Sequence, residues 1–113
     1  MSDLTDLAYL TAHEAQAALT RRDLSSVELT RAHLDRIAAL DPTIHAFLTV
    51  TPEIALAQAA ASDARRARGQ TLGPLDGIPI SLKDMLITEG IRTTAASRIL
   101  GNFVPPWNGT VVQ

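Results

Sequence analysis

The 113-residue sequence has no cysteine, one tryptophan, one tyrosine and two phenylalanines. Without cysteine there can be no disulfide framework, no thiolate metal site and no cysteine nucleophile. Few aromatics, a formal charge of -2 and a pI of about 5.8 exclude the basic, aromatic-rich footprint of a nucleic-acid-binding domain. Long apolar runs are missing too. The longest, Ile54 to Ala61, is broken by Gln58 and falls far short of the roughly 20 residues of a membrane span. Asp3, Asp6, His13 and Glu14 stand where a secretory signal needs a basic start and an unbroken apolar stretch, so a cytoplasmic location is expected. Lysine is almost absent: nine of the ten basic residues are arginine, and the tenth is Lys83. What is present is 46% hydrophobic, enough to bury a core, which argues against disorder.

The first half carries explicit helix signals. Thr11-Ala12-His13-Glu14 and Ser25-Ser26-Val27-Glu28 have capping-box spacing. Arg21 and Arg22 follow the first box at the distance where a helix C-terminus favours cations. In the second helix, Val27, Leu34, Ile37 and Ala38 are expected on one face, with Glu28, Arg31 and Asp35 on another and a stop at Asp41-Pro42. Ile44 to Val50 is short and partly alternating, which predicts a strand. Thr51-Pro52-Glu53 then opens a third helix through an Ala-rich stretch to Arg68, where Gly69 ends it. Beyond the turn-rich Gly73-Pro74-Leu75-Asp76-Gly77, Ile78 to Asp84 is expected as a strand, with Ile78, Ile80 and Leu82 on one side and Ser81 and Lys83 on the other. Thr110-Val111-Val112 resembles the opening of a further element, so the chain is expected to end in mid-domain.

Few residues offer chemistry. His13, His33 and His45 are 20 and 12 residues apart and lack the i, i+3 or i, i+4 partners of a helical metal site, so no metal is expected. No phosphate-binding glycine motif is present, and Gly69, Gly73 and Gly77 punctuate turns. Asp76 and Asp84 flank the expected strand, but the spacing assigns them no acid-base role. Lys83 is the exception. A lysine set among apolar neighbours can lose its proton, which an arginine cannot do at any accessible pH. Ser81 shares its side, but i and i+2 on a strand are about 6.5 Å apart, too far for a dyad, so Ser81 is expected to serve packing.

The segment Leu75-Asp76-Gly77-Ile78-Pro79-Ile80-Ser81-Leu82-Lys83-Asp84 resembles the catalytic-lysine segment of the amidase-signature enzymes. Within them, Gly90-Ile91-Arg92-Thr93-Thr94-Ala95-Ala96-Ser97-Arg98-Ile99-Leu100 and Asn102-Phe103-Val104-Pro105-Pro106 resemble the glutaminase (A) subunits of tRNA-dependent amidotransferases, as do Leu10-Thr11-Ala12 and Ser26 to Thr30. Met85 and Ala95 depart from the common pattern, at positions with no catalytic role in the family.

The resemblance implies an α/β fold with a mixed sheet covered by helices. Residues 1–113 would be the N-terminal part of one incomplete amidase-signature domain, with 1–70 mainly helical and 71–113 a strand-and-loop segment carrying the lysine motif. It implies Lys83 as the base of a Ser-cisSer-Lys triad whose serines lie downstream of these residues. The bridging serine would give its proton to the neutral lysine, and the nucleophilic serine would attack the glutamine side-chain amide, releasing ammonia through an acyl-enzyme. It further implies B and C partner subunits in a heterotrimer. No cofactor would sit on this chain; ATP and Mg²⁺ would act on the B subunit, which would also make most of the tRNA contact. A stand-alone amidase and a non-catalytic helical interaction module are the alternatives. The tail from Asn102 to Pro106 favours the amidotransferase over the free amidase.

Overall fold

The computed structural model describes residues 7–113, so Asp3 and Asp6 lie outside the described residues. These residues contain three α-helices, α1 (Ala12–Arg21), α2 (Ser26–Ile44) and α3 (Pro52–Ala67), and a short 3-10 helix at Thr110–Val112. The chain divides into two compact units, Met1–Pro79 and Ile80–Gln113.

Both expected capping boxes form. The Glu14 amide donates to Thr11 Oγ1 at 3.1 Å while the Thr11 amide donates to the Glu14 carboxylate at 2.8 Å. Ser25 and Glu28 repeat the exchange at 3.0 and 2.8 Å. Each cap contributes on the order of 1 kcal/mol by satisfying donors that a helix start leaves free. At α2 the satisfaction goes further, because Asp63 on α3 accepts from the Ser26 and Val27 amides at 2.7 and 3.1 Å. A carboxylate at a helix N-terminus also meets the positive end of the helix dipole. Since Asp63 lies near the end of α3 and Ser26 at the start of α2, the two helices pack antiparallel.

The helix ends show where local signals held and where they did not. α3 closes as expected at Gly69, whose φ of +67° permits amide bonds from Gly69 to the Arg66 carbonyl and from Gln70 to the Arg65 carbonyl. At Thr51 the expected helix begins, but the Thr51 side chain makes no capping bond. α2 does not stop at Asp41-Pro42: it runs through Pro42 to Ile44. A proline this close to a C-terminus removes one amide bond, and the last turn is secured instead by the His45 amide on the Asp41 carbonyl at 2.7 Å. The Asp41 carboxylate then accepts from the amides of Ala46 and Phe47. This reversal consumes the start of the expected strand at Ile44 to Val50, which is helix end and irregular chain.

The core of the first unit comprises Ala15 and Leu19 on α1, Leu24 between helices and Leu29 on α2, with Leu7, Leu10, Ala18 and Ile78 packed against it. Leu19 and Leu29 are almost wholly buried, each stabilising by about 2 kcal/mol. The buried face of α2 is therefore Ser26, Leu29, Thr30 and Ala32, rather than the expected Val27, Leu34, Ile37 and Ala38. Val27, Leu34 and Ile37 are only partly covered and Ala38 is exposed, and Leu34, Ile37 and Ala38 line an open groove with Pro42 and Val50. No helix of the described residues is long and apolar enough to cross a membrane.

No strand forms among the described residues, so the α/β expectation with its first strands is not met. Ile78 to Asp84 is irregular chain and turn, without ladder partners. A strand exists only as one side of a paired ladder, and no described segment supplies the other side. The second unit shows the nearest approach to a sheet. Segments 87–93 and 103–109 run antiparallel, joined by amide bonds from Gly109 to the Ile87 carbonyl at 2.8 Å, Gly90 to Pro105 at 3.0 Å and Thr93 to Phe103 at 3.0 Å. The Asn108 side-chain carbonyl accepts a further bond from the Glu89 amide, and Pro105, one of the paired residues, is fully buried.

Candidate active site

The motif spanning residues 75–84 runs from one unit into the other, and its two ends do different work. At the near end, Gly73 to Gly77 forms the expected turn, with the Asp76 amide bonded to the Gly73 carbonyl and the Ile78 amide to that of Leu75. Asp76 is the anchor. Its carboxylate, 4% exposed, takes a bidentate pair of bonds from the Arg65 guanidinium at 2.8 and 3.1 Å and a third from the Leu72 amide at 3.0 Å. Arg66 donates to the Asp76 carbonyl at 2.8 Å. The hydrogen bonds from Arg65 hold the Asp76 carboxyl well below the usual carboxylate range, against the opposing effect of burial. A carboxylate so committed has no proton to exchange near neutral pH, and Asp76 is structural.

Gly77 follows with φ of +95°, and a Cβ there would stand 2.9 Å from Ser62 Oγ and 3.3 Å from Ser26. Its carbonyl accepts from the buried Ser26 hydroxyl at 2.8 Å. Glycine is required both by the backbone angle and by this close approach to α2 and α3. The turn glycine of the sequence thus proves to be the contact that docks the motif on the helical pair.

At the far end, Lys83 lies in irregular chain and is exposed. The expectation of a lysine projecting from a strand among apolar residues is not met, because the strand has no partner. Leu82 and Ile80 are exposed as well, at 43% and 77%. Ser81, expected in packing, is exposed and irregular. The backbone at Lys83 is nonetheless tightly held: its carbonyl accepts from the Met85 amide at 2.7 Å and the Leu86 amide at 3.0 Å.

Asp84 completes that arrangement. Its carboxylate accepts from the Thr94 amide at 2.7 Å, from the Thr94 hydroxyl and, more distantly, from the Ala96 amide, while its carbonyl accepts from the Ala95 amide at 2.7 Å. Donation from the Thr94 hydroxyl and amide lowers the Asp84 carboxyl below its ordinary range. Ala95 and Ala96 both adopt positive φ, 49° and 58°, which costs a residue with a Cβ roughly 1–2 kcal/mol each. The Ala95 amide reaches the Asp84 carbonyl, and the Ala96 amide lies 3.2 Å from the Thr94 hydroxyl oxygen and 3.5 Å from the Asp84 carboxylate. Thr93 and Thr94 are buried. The sequence showed the threonine pair and the acid but not that Thr94 meets Asp84, since nine intervening residues without regular structure separate them.

The histidines do not converge. His13 is exposed on α1, His33 is half-buried on α2, where burial pushes its imidazole down, and His45 caps α2 with φ of +55°. No group of three or more histidine or acidic side chains among the described residues could hold a metal ion.

The amidase family model matches residues 28–113, which includes the whole motif from Leu75 to Asp84. The chain belongs to the amidase family. Among curated relatives of this amidase-family chain, the A subunit of glutamyl-tRNA(Gln) amidotransferase from Chloroflexus aurantiacus is 56% identical over 110 residues, covering 97% of this chain and 23% of that protein. The A subunit of the Geobacter metallireducens enzyme of the same name is 58% identical over 107 residues, 95% of this chain and 22% of that protein. A solved structure, the crystal structure of PAM12A, superposes with a TM-score of 0.82 at 40% identity, over 89% of this chain and 21% of that one. The chain therefore spans less than a quarter of the length of these relatives. Two features that the structure makes essential to local geometry, the Asp76-Gly77 anchor and the Asp84 clamp, both fall within the matched residues.

Proposed function

We propose that this chain is the N-terminal part of the glutaminase (A) subunit of a tRNA-dependent amidotransferase, a carbon-nitrogen ligase that uses glutamine as amido donor. The identity of 56% over 110 residues to the A subunit of a glutamyl-tRNA(Gln) amidotransferase carries this reading. The complete glutaminase hydrolyses glutamine and supplies ammonia for converting Glu-tRNA(Gln) to Gln-tRNA(Gln). Lys83 is its general base: as a neutral amine it takes the proton of a bridging serine, which activates the nucleophilic serine. Both serines belong to the remainder of the glutaminase, so residues 1–113 alone are inactive. The B and C subunits are the partners, ATP and Mg²⁺ serve the B subunit, most tRNA contact is made there, and the complex is cytoplasmic. The modest charge of this chain accords with tRNA being held elsewhere.

The test joins this chain to the remaining length of the Chloroflexus aurantiacus glutaminase and measures ammonia release from glutamine. Activity is expected in the joined protein and absent from the 113 residues alone. Lys83→Ala and Lys83→Arg should both lower kcat by about 10²-fold or more, because arginine keeps the charge but cannot accept the proton. Retained activity in the arginine variant would remove the general-base role. Efficient hydrolysis of small amides in preference to glutamine would favour the free-amidase reading instead.

A further inference from the structure

We propose that Asp84 is a positioning residue for Lys83, acting through a clamp with Thr94 that sets the path of the lysine's backbone. This inference rests on the proposed role of Lys83 and adds a second residue to it. The sequence neighbour of the lysine is bonded at both of its ends: its carboxylate accepts the Thr94 amide and hydroxyl, and its carbonyl accepts the Ala95 amide. Lys83 itself is held by the turn closed on its carbonyl by Met85 and Leu86. Together these bonds restrain the backbone that follows the lysine Cα, although no ladder bond reaches it. The clamp also sits beside a conformational cost, since Ala95, whose amide bonds the Asp84 carbonyl, and Ala96 are both held at positive φ. Strain of this kind persists where the surroundings hold it in place, and here it lies beside the one lysine of the chain.

Such a residue acts on the geometry of proton transfer and not on substrate binding. A displacement of about 1 Å at a reacting group can cost about 10²-fold in rate. In the joined full-length protein, Asp84→Ala is therefore expected to lower kcat roughly 10- to 100-fold and leave KM for glutamine unchanged. Asp84→Asn and Thr94→Val remove single parts of the clamp and should show smaller losses of the same kind, while Thr94→Ser keeps the hydroxyl and restores activity. The deciding measurement is the double variant. In the Lys83→Ala background, Asp84→Ala should cause no further loss of the residual activity, because there is no longer an amine to position. A further multiplicative loss in that background, or a rise in KM equal to the fall in kcat, would mark Asp84 as merely structural and overturn the proposal. Should Asp84→Ala fail to fold, as seen by circular dichroism, the Asn and Thr94→Val variants give the same comparison. Full activity in Asp84→Ala with Lys83→Ala inactive overturns the clamp alone; full activity in Lys83→Ala overturns the reading of the lysine and the clamp with it.

Discussion

The two units satisfy their backbones in different ways. In the helical unit most backbone bonds are local: α1 and α2 carry capping boxes, α3 closes on Gly69, and Asp76 binds the Leu72 amide, while Asp63 reaches across from α3 to the free amides at the start of α2. In the second unit three cross-chain amide bonds, one asparagine and one aspartate clamp hold residues 80–113 together. Half of the large apolar side chains left exposed among the described residues lie there, from Ile80 to Val111, although that unit is less than half as long as the other. The difference follows from the range of the interactions. Helices complete their hydrogen bonds within four residues, whereas extended chain needs a neighbour, which 87–93 find in 103–109 and 78–84 do not find among the described residues. The lysine motif joins both regimes, with its glycine docked on helices and its lysine held by a clamp in irregular chain.

Substitutions at the anchor should separate the two units most sharply. Asp76→Ala leaves the Arg65 guanidinium and the Leu72 amide without their acceptor, and loss of one member of such a pair is expected to destabilise by about 3 kcal/mol. Urea unfolding followed by far-UV circular dichroism, which reports the helices, would measure it. An unchanged midpoint would show that the helical unit does not depend on this pair. Gly77→Ala should cost about 2 kcal/mol in the same assay, because the added Cβ meets Ser62 Oγ at 2.9 Å in a conformation that already disfavours side chains.

Acid should act in one direction on both units. The Asp76 and Asp84 carboxyls sit below their ordinary ranges in the folded chain, so their contribution is present above about pH 4 and is lost as pH falls from there toward the folded values. His33, whose imidazole is pushed down by burial, begins to favour the unfolded chain as pH falls below about 6.5. Stability should therefore decline in two steps on acidification. Asp76→Asn should flatten the lower step for the helical unit. A midpoint independent of pH between about 7 and about 3 would contradict both assignments.

The smallest contrast lies between two caps. Ser25→Ala should cost about 1 kcal/mol, since Ser25 Oγ accepts the Glu28 amide, while Thr51→Ala should change stability by less than about 0.5 kcal/mol because no bond is lost. Equal effects at the two positions would mean that the Thr51 side chain caps α3 in solution.

The residues that proved legible are those whose partners lie within one helical turn. Thr11 with Glu14 and Ser25 with Glu28 could be paired from spacing alone, and Gly69 could be placed at a helix end from its lack of a side chain. Lys83 stood out by composition and by its motif. The helix passing through Pro42, the burial of Ser26 and Thr30 instead of Leu34 and Ile37, and the meeting of Asp84 with Thr94 could not be found that way. Each depends on which surface another segment covers, and local pattern carries no record of that.

Local chemistry along the chain was enough to set where the three helices start and the turn before the motif, because hydrogen-bond partners three or four residues apart are determined by adjacent side chains. Tertiary structure alone decided that Asp76 is an anchor rather than an acid, that Gly77 must be glycine for want of space beside Ser62, and that the segment bearing Lys83 is clamped chain and not strand. The reason is physical: burial, close approach and ladder pairing are properties of two segments at once, and neither segment specifies them alone.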